Sequence, residues 1–219
     1  GINGKFDIAQ RTGGDDWPIA RRGEMRIVAG DAAHHVTHAG EAVGRFSLSP
    51  LLPEEGMVWT NTSSLSIQRM ALATDRPGRV VGAHGMNPVY RMPGVEVIQH
   101  EDIEPQVLTR TIQLIEQMGK TPFVASDVTG FWVNKQLVPF VLEAIRALER
   151  GEITVEDGDK GLQVCLGHPQ GIFKLSDFIG LDTMYRVGVA MYLATQDPRY
   201  YPPTLLSHLF KEGHHGVKS

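Results

Sequence analysis

Only one of the 219 residues is a cysteine, Cys165, so no disulfide can close within the chain. That suits a reducing compartment, and a cytoplasmic protein is expected. With no second thiol and no base placed beside it, Cys165 reads as a small buried apolar residue. Positive charge is scarce too, for the net charge is −4 with histidine neutral. Nucleic acid and anionic bilayers need a basic face, so neither is an expected partner. No apolar run approaches the roughly 20 residues that cross a membrane. The first 25 residues hold no continuous apolar core of the kind a secretory signal needs. The chain begins with Gly rather than Met, which leaves processing, trimming or a fragment open. Also missing is any Gly-x-Gly-x-x-Gly after a strand, since "GINGKF" and "TGGDD" have the wrong spacing. The usual cradle for a dinucleotide pyrophosphate is therefore absent from these residues.

What is present is a globular composition, 42% hydrophobic and 21% charged, in a mass of 24.1 kDa that allows one or two domains. Residues 1–44 resist assignment. "RTGGDDWP" is turn chemistry, and "EMRIVAG" allows one short strand. From Phe46 the pattern sharpens. Strands over 57–60, 80–84 and 95–99, and another in "TPFVASD", are interspersed with a short helix over 66–74 and a longer amphipathic one in "EPQVLTRTIQLIEQMGK". In the longer helix Pro105 suits the first turn. Leu108, Ile112, Ile115 and Met118 make its apolar stripe, and Gly119 stops it. Strand and helix in these lengths predict right-handed βαβ crossovers and a mostly parallel sheet.

After Gly130 the strand patterns cease. "FWVNKQLVPFVLEAIRALERG" reads as a long helix that Pro139 should kink. Thr154 and Asp157 open another with a capping-box pattern, and "DTMYRVGVAMYLATQD" and "PPTLLSHLFKEG" are two more. The fold class is thus α/β, a parallel sheet within residues 1–126 followed by an all-helical domain over 127–219.

Four polar residues stand where a site would use them. Ser63 follows one strand, with Ser64 beside it, and His84 ends the next. Glu96 lies among apolar residues in the strand after that, and Asn134 opens the long helix. In parallel sheets ligands bind at the carboxyl ends of strands. A buried carboxylate needs a partner, and a histidine backed by one holds a single tautomer and stabilises its own imidazolium. The set suggests general acid–base chemistry, with the serine and asparagine fixing a substrate hydroxyl or carbonyl. The bland alternative is a capped turn, since Asn-Thr-Ser-Ser is good capping chemistry, plus a structural His–Glu hydrogen bond. No metal site is expected. His34 and His38 are four apart but lack a third ligand, and His214 and His215 follow a helix end.

The ordered set "NTSSLSI", "GAHGMNPV", "GVEVI", "GK-P-D--GF-VN", "LVP--LEAIRALERG", "LSDFIGLDT" and "GHHGVKS" resembles the 3-hydroxyacyl-CoA dehydrogenases of fatty-acid β-oxidation from about Phe46 to Ser219. The resemblance implies a partial Rossmann-like domain, a helical substrate and dimerisation domain, NAD as cofactor and an acyl-CoA thioester as substrate. By position it makes His84 the catalytic base, Glu96 its partner, and Ser63 and Asn134 the groups that hold the reacting oxygen. Asn87, Ser63 and Lys218 fall on positions that contact the cofactor. The departures are in "HGM", where the family has His-Phe-Phe, and in "VTGFWVN", which lacks a Pro before Gly. The missing glycine loop predicts that this chain holds NAD weakly, because backbone N–H groups of that turn carry most of the pyrophosphate affinity. A truncated or non-catalytic superfamily member, acting as a structural, dimerising or CoA-thioester-binding protein, stays open as the alternative. A homodimer is expected through the helices, on the ground that Leu137, Phe140, Val141, Ile145, Met184, Val187 and Met191 are too many apolar residues for one short bundle to cover.

Overall fold

The computed structural model describes the backbone of residues 25–28, and residues 53–63 and 65–218. Ser64, His34 and His38 lie outside the described residues. The chain divides after Asp127 into two compact units. The first carries a five-stranded sheet in the order β1 (Met25–Val28), β2 (Met57–Thr60), β3 (Val80–Gly85), β4 (Gly94–Gln99) and β5 (Thr121–Ser126). Strands β1, β2 and β3 run parallel, β4 reverses against β3, and β5 runs parallel to β4. The sheet is mostly parallel, as the sequence predicts, but no crossover joins β3 to β4. The connection, residues 86–93, is shorter than the dozen or so residues a parallel return needs.

Alternation along the strands sorts the two faces. Met57, Trp59, Val81, Ala83, Val95 and Val97 cluster with Val107 and Ile115 of α2 (Pro105–Gln117). The deepest line on α2 is Val107, Thr111 and Ile115, with Leu108, Ile112 and Met118 half-buried beside it. Gly82, His84, Glu96 and Ile98 occupy the alternate positions of β3 and β4, where α1 (Ile67–Leu72) packs. Gly82 is what lets α1 approach, because a Cβ there would sit 2.7 Å from Ile98 Cβ and 3.1 Å from Ile67 Cδ1. The start of α1 is held from the far end of the unit. Asp127 Oδ2 accepts from Ser66 Oγ at 2.9 Å and from Gln68 N–H at 2.7 Å.

The second unit holds α3 (Val133–Glu149), α4 (Val155–Leu166), α5 (Ile172–Ile179), α6 (Leu181–Thr195) and α7 (Thr204–Lys211). Helix α3 continues as one element through Pro139. Thr154 Oγ1 accepts from Asp157 N–H at 3.1 Å, the expected cap of α4. Helix α5 has no counterpart among the helices predicted from pattern. Its start is capped by a carboxylate from α4. Asp159 Oδ1 accepts from Phe173 N–H at 2.7 Å and Oδ2 from Lys174 N–H at 3.1 Å. Gly171 is obligatory beside it, since a Cβ there would meet Asp159 Cβ at 2.2 Å. No helix among the described residues is long and apolar enough to cross a membrane.

Two expectations fail here. Val141, Ile145, Met184 and Met191 are not left over for a partner. They form one buried core with Ile172 and Phe173 of α5, Leu142, Tyr200 and Leu206, with Leu137 and Val187 packed against it. The unanticipated α5 and the Tyr200 turn supply the cover that a count of fewer helices lacked. Of the seven residues, only Phe140 is exposed. Cys165 is exposed rather than buried, because α4 has no fully buried residue on any face.

The Trp59 indole N–H donates to Thr111 Oγ1 at 3.1 Å, with both side chains buried. Thr111→Val keeps the shape of Thr111 but strands that donor, at a cost of about 1–3 kcal/mol. Urea unfolding followed by tryptophan fluorescence should show a lower midpoint with an unchanged slope. An unshifted midpoint would mean that the bond carries no stability.

Candidate active site

The chemistry begins with a register. In the antiparallel ladder His84 stands opposite Glu96, and Ala83 opposite Val97. Opposed residues in a sheet share a face and lie within side-chain reach. His84 Nδ1–H donates to Glu96 Oε2 at 2.6 Å. Glu96 has no exposure and His84 has 6%. A carboxylate accepting at Nδ1 assigns the ring proton there and leaves the lone pair on Nε2. The arrangement can therefore take a proton at Nε2 and steady the imidazolium that results.

Two loops flank the pair at the carboxyl ends of β2 and β3. The first, residues 61–66, carries Ser63, which is exposed. Asn61 Oδ1 accepts from Gly85 N–H at 2.9 Å, one residue beyond His84. Ile67 of α1 packs on Gly82, so the chain that follows β2 is tied to β3 at Gly85 and again at Gly82. The second loop, residues 86–93, carries Asn87, also exposed. Ser63 and Asn87 thus stand at the carboxyl ends of adjacent parallel strands, the place where open α/β sheets bind ligands.

Of the residues singled out from sequence, His84 and Glu96 meet, while Ser63 and Asn87 stand two or three residues beyond the ends of β2 and β3 in the same unit. Asn134 belongs to the first turn of α3, in the helical unit. Lys218 falls in a short 3-10 turn, Gly216–Lys218, of that same unit, and its side chain lies outside the described residues. His214 is exposed, 3.7 Å from Glu212, and the His215 ring faces Phe210 edge-on at 6.5 Å. Among the described residues no group of three His, Cys, Asp or Glu is placed to hold a metal ion. Sequence reasoning missed Asn61 as the residue that ties the serine loop to β3. Its signal in the sequence is an amide side chain at the first position after a strand.

The family model for the NAD binding domain of 3-hydroxyacyl-CoA dehydrogenase matches residues 46–128, and that for the C-terminal domain matches residues 130–219. A 3-hydroxybutyryl-CoA dehydrogenase of Mycobacterium tuberculosis is 40% identical over 166 residues, 75% of this chain and 58% of the relative. The mitochondrial hydroxyacyl-coenzyme A dehydrogenase of Sus scrofa is 35% identical over 173 residues, 78% of this chain and 55% of the relative. Among solved structures, the 3-hydroxybutyryl-CoA dehydrogenase of Escherichia coli K12 superposes with a TM-score of 0.78 at 32% identity, covering 89% of this chain and 40% of that one. The (S)-3-hydroxybutyryl-CoA dehydrogenase of Ralstonia eutropha gives 0.74 at 34% identity, covering 78% of this chain and 60% of that one. The chain thus spans less than two thirds of the length of these relatives.

Asn61→Ala removes the acceptor for Gly85 N–H while leaving the rest of the parallel ladder in place. The Gly85 amide should then exchange with solvent roughly two- to tenfold faster, as expected for a lost hydrogen bond of about 0.5–1.5 kcal/mol. Hydrogen exchange read by NMR checks this, and protection equal to that of the parent would show that the serine loop is held by other contacts.

Proposed function

Since this chain belongs to the 3-hydroxyacyl-CoA dehydrogenase family, we propose that it is a dehydrogenase that oxidises (S)-3-hydroxyacyl-CoA to 3-oxoacyl-CoA with NAD, in fatty-acid metabolism. The observation that carries the reading is the buried His84–Glu96 contact of 2.6 Å at the carboxyl end of β3. A four-carbon substrate is the first to try, because the relatives reported above include proteins named for 3-hydroxybutyryl-CoA.

NAD, when bound, supplies the ring that accepts hydride. The rest is done by this chain. The 3-hydroxyl gives its proton to His84 Nε2 as the C3 hydrogen departs as hydride with the bonding pair and the C=O bond forms. Glu96 accepts from Nδ1–H throughout, so the developing imidazolium is met by a carboxylate in a low-dielectric setting, where the attraction is strongest. By the family resemblance, Ser63 and Asn134 are the residues assigned to the reacting oxygen. Asn87, Ser63 and Lys218 are the residues assigned to the nicotinamide end of the cofactor.

The helical unit exposes Phe140, Val164, Leu166, Phe178 and Leu193, and the reading includes a homodimer that covers part of this surface. Sedimentation of the full chain at micromolar concentration should give twice the monomer mass. A stable monomer sinks the dimer and leaves the chemistry untouched.

The catalytic test is NADH formation from NAD and (S)-3-hydroxybutyryl-CoA, alongside titration with NADH followed by nicotinamide fluorescence. His84→Gln should lower kcat by about 10²–10⁴. Glu96→Gln, which keeps a hydrogen-bond acceptor but removes the charge, should lower it less, and NADH should bind both variants as it binds the parent. Absence of NADH binding and of turnover in the parent would favour the non-redox alternative, a thioester-binding or structural member of the family.

A further inference from the structure

Lys120 stands between α2 and β5, at the same end of the sheet as His84. Its backbone is fixed on both sides. Lys120 N–H donates to Ile115 O at 3.1 Å, and the next amide, Thr121 N–H, donates to Pro93 O at 2.8 Å. From that base the ammonium reaches into residues 86–93. Lys120 Nζ donates to Val89 O at 2.6 Å and to Met92 O at 2.8 Å. The connection also folds on itself, with Arg91 N–H and Met92 N–H both donating to Pro88 O, at 2.9 and 3.0 Å.

We infer that Lys120 is a positioning residue that clasps the 86–93 connection and so holds Asn87 at the carboxyl end of β3. A loop that leaves one strand and enters its antiparallel neighbour has carbonyls with no ladder to join, and each needs a donor. An ammonium offers three N–H groups and makes charge-assisted bonds, stronger than those of a neutral donor. Lys120 spends two of them on carbonyls three residues apart, which fixes the turn at two points. His84 and Glu96 need no such help, because ladder register already sets them opposite each other. The effect of Lys120 is therefore selective. It acts on the end of the site assigned to the cofactor and leaves the acid–base pair where it is. What Asn87 does there rests on the dehydrogenase reading, whereas the clasp itself does not.

The test uses the full chain with Lys120→Met and Lys120→Arg. Arg91 is exposed within the connection and gives trypsin a reporter. Cutting after Arg91, followed by intact mass, should be roughly tenfold faster or more in Lys120→Met, the scale of one lost charged hydrogen bond. Lys120→Arg, which keeps donors on a long side chain, should restore most of the protection. In the enzyme assay Lys120→Met should raise KM for NAD several-fold and leave KM for the acyl-CoA within about twofold, with Lys120→Arg between it and the parent. A merely structural role would lower the active fraction, and with it apparent kcat, without moving either KM. An unchanged cutting rate overturns the clasp whatever the assay shows. Faster cutting with an unchanged KM for NAD overturns the positioning role. A parent chain without turnover overturns the dehydrogenase reading and the role of Asn87 with it, while the cutting rates still decide the clasp.

Discussion

A carboxylate with no exposure has to be met by a donor, and in this protein strand register provides one. Glu96 sits inside β4 with an apolar residue on each side, Val95 and Val97, both packed against α2. Alternation turns Glu96 to the other face, where His84 is its cross-strand partner. Had β4 slipped by one residue against β3, the carboxylate would have turned to the apolar face and lost its partner. The short connection of residues 86–93, which allows only an antiparallel return, is thus a condition of the site as well as of the fold.

Such a pair is expensive. Taking an ionisable histidine and a carboxylate out of water costs desolvation that two apolar residues of similar volume would not incur. A fold indifferent to chemistry gains little by keeping it, which favours the acid–base reading over a structural one. The surroundings are consistent with that. Gly82, two residues before His84, gives up its side chain so that Ile67 can close over the sheet. Asn61 and Asp127 then anchor the chain between β2 and α1, the first through Gly85 N–H and the second through Ser66 and Gln68. Each is a single side chain holding backbone, so each fixes position with one or two bonds rather than with a packed surface.

Much of this was legible. Strands over 57–60, 80–84 and 95–99 and the helix after Pro105 follow from period and from turn residues, and the structure has them within a residue or two. Burial of Glu96 follows from its apolar neighbours. What escaped was whatever depends on partners far away in sequence. Helix α5 is short, and its cap comes from Asp159, 14 residues before Phe173. No local pattern announces such a cap, and without α5 the helical core looked too small for its apolar residues. Cys165 misled for the same reason, since residue type suggests burial but only the packing of α4 decides it.

The sequence alone determined the class of most segments from Phe46 onward, the change from strands to helices after Gly130, and the identity of the groups able to do chemistry, because these depend on periodicity and side-chain type within a few residues. Tertiary structure alone decided which of those groups meet. That His84 points at Glu96 rather than away from it depends on an antiparallel pairing and its register. Neither is encoded at either residue, since both arise only when the sheet, the Gly82 contact and the turn between β3 and β4 form together.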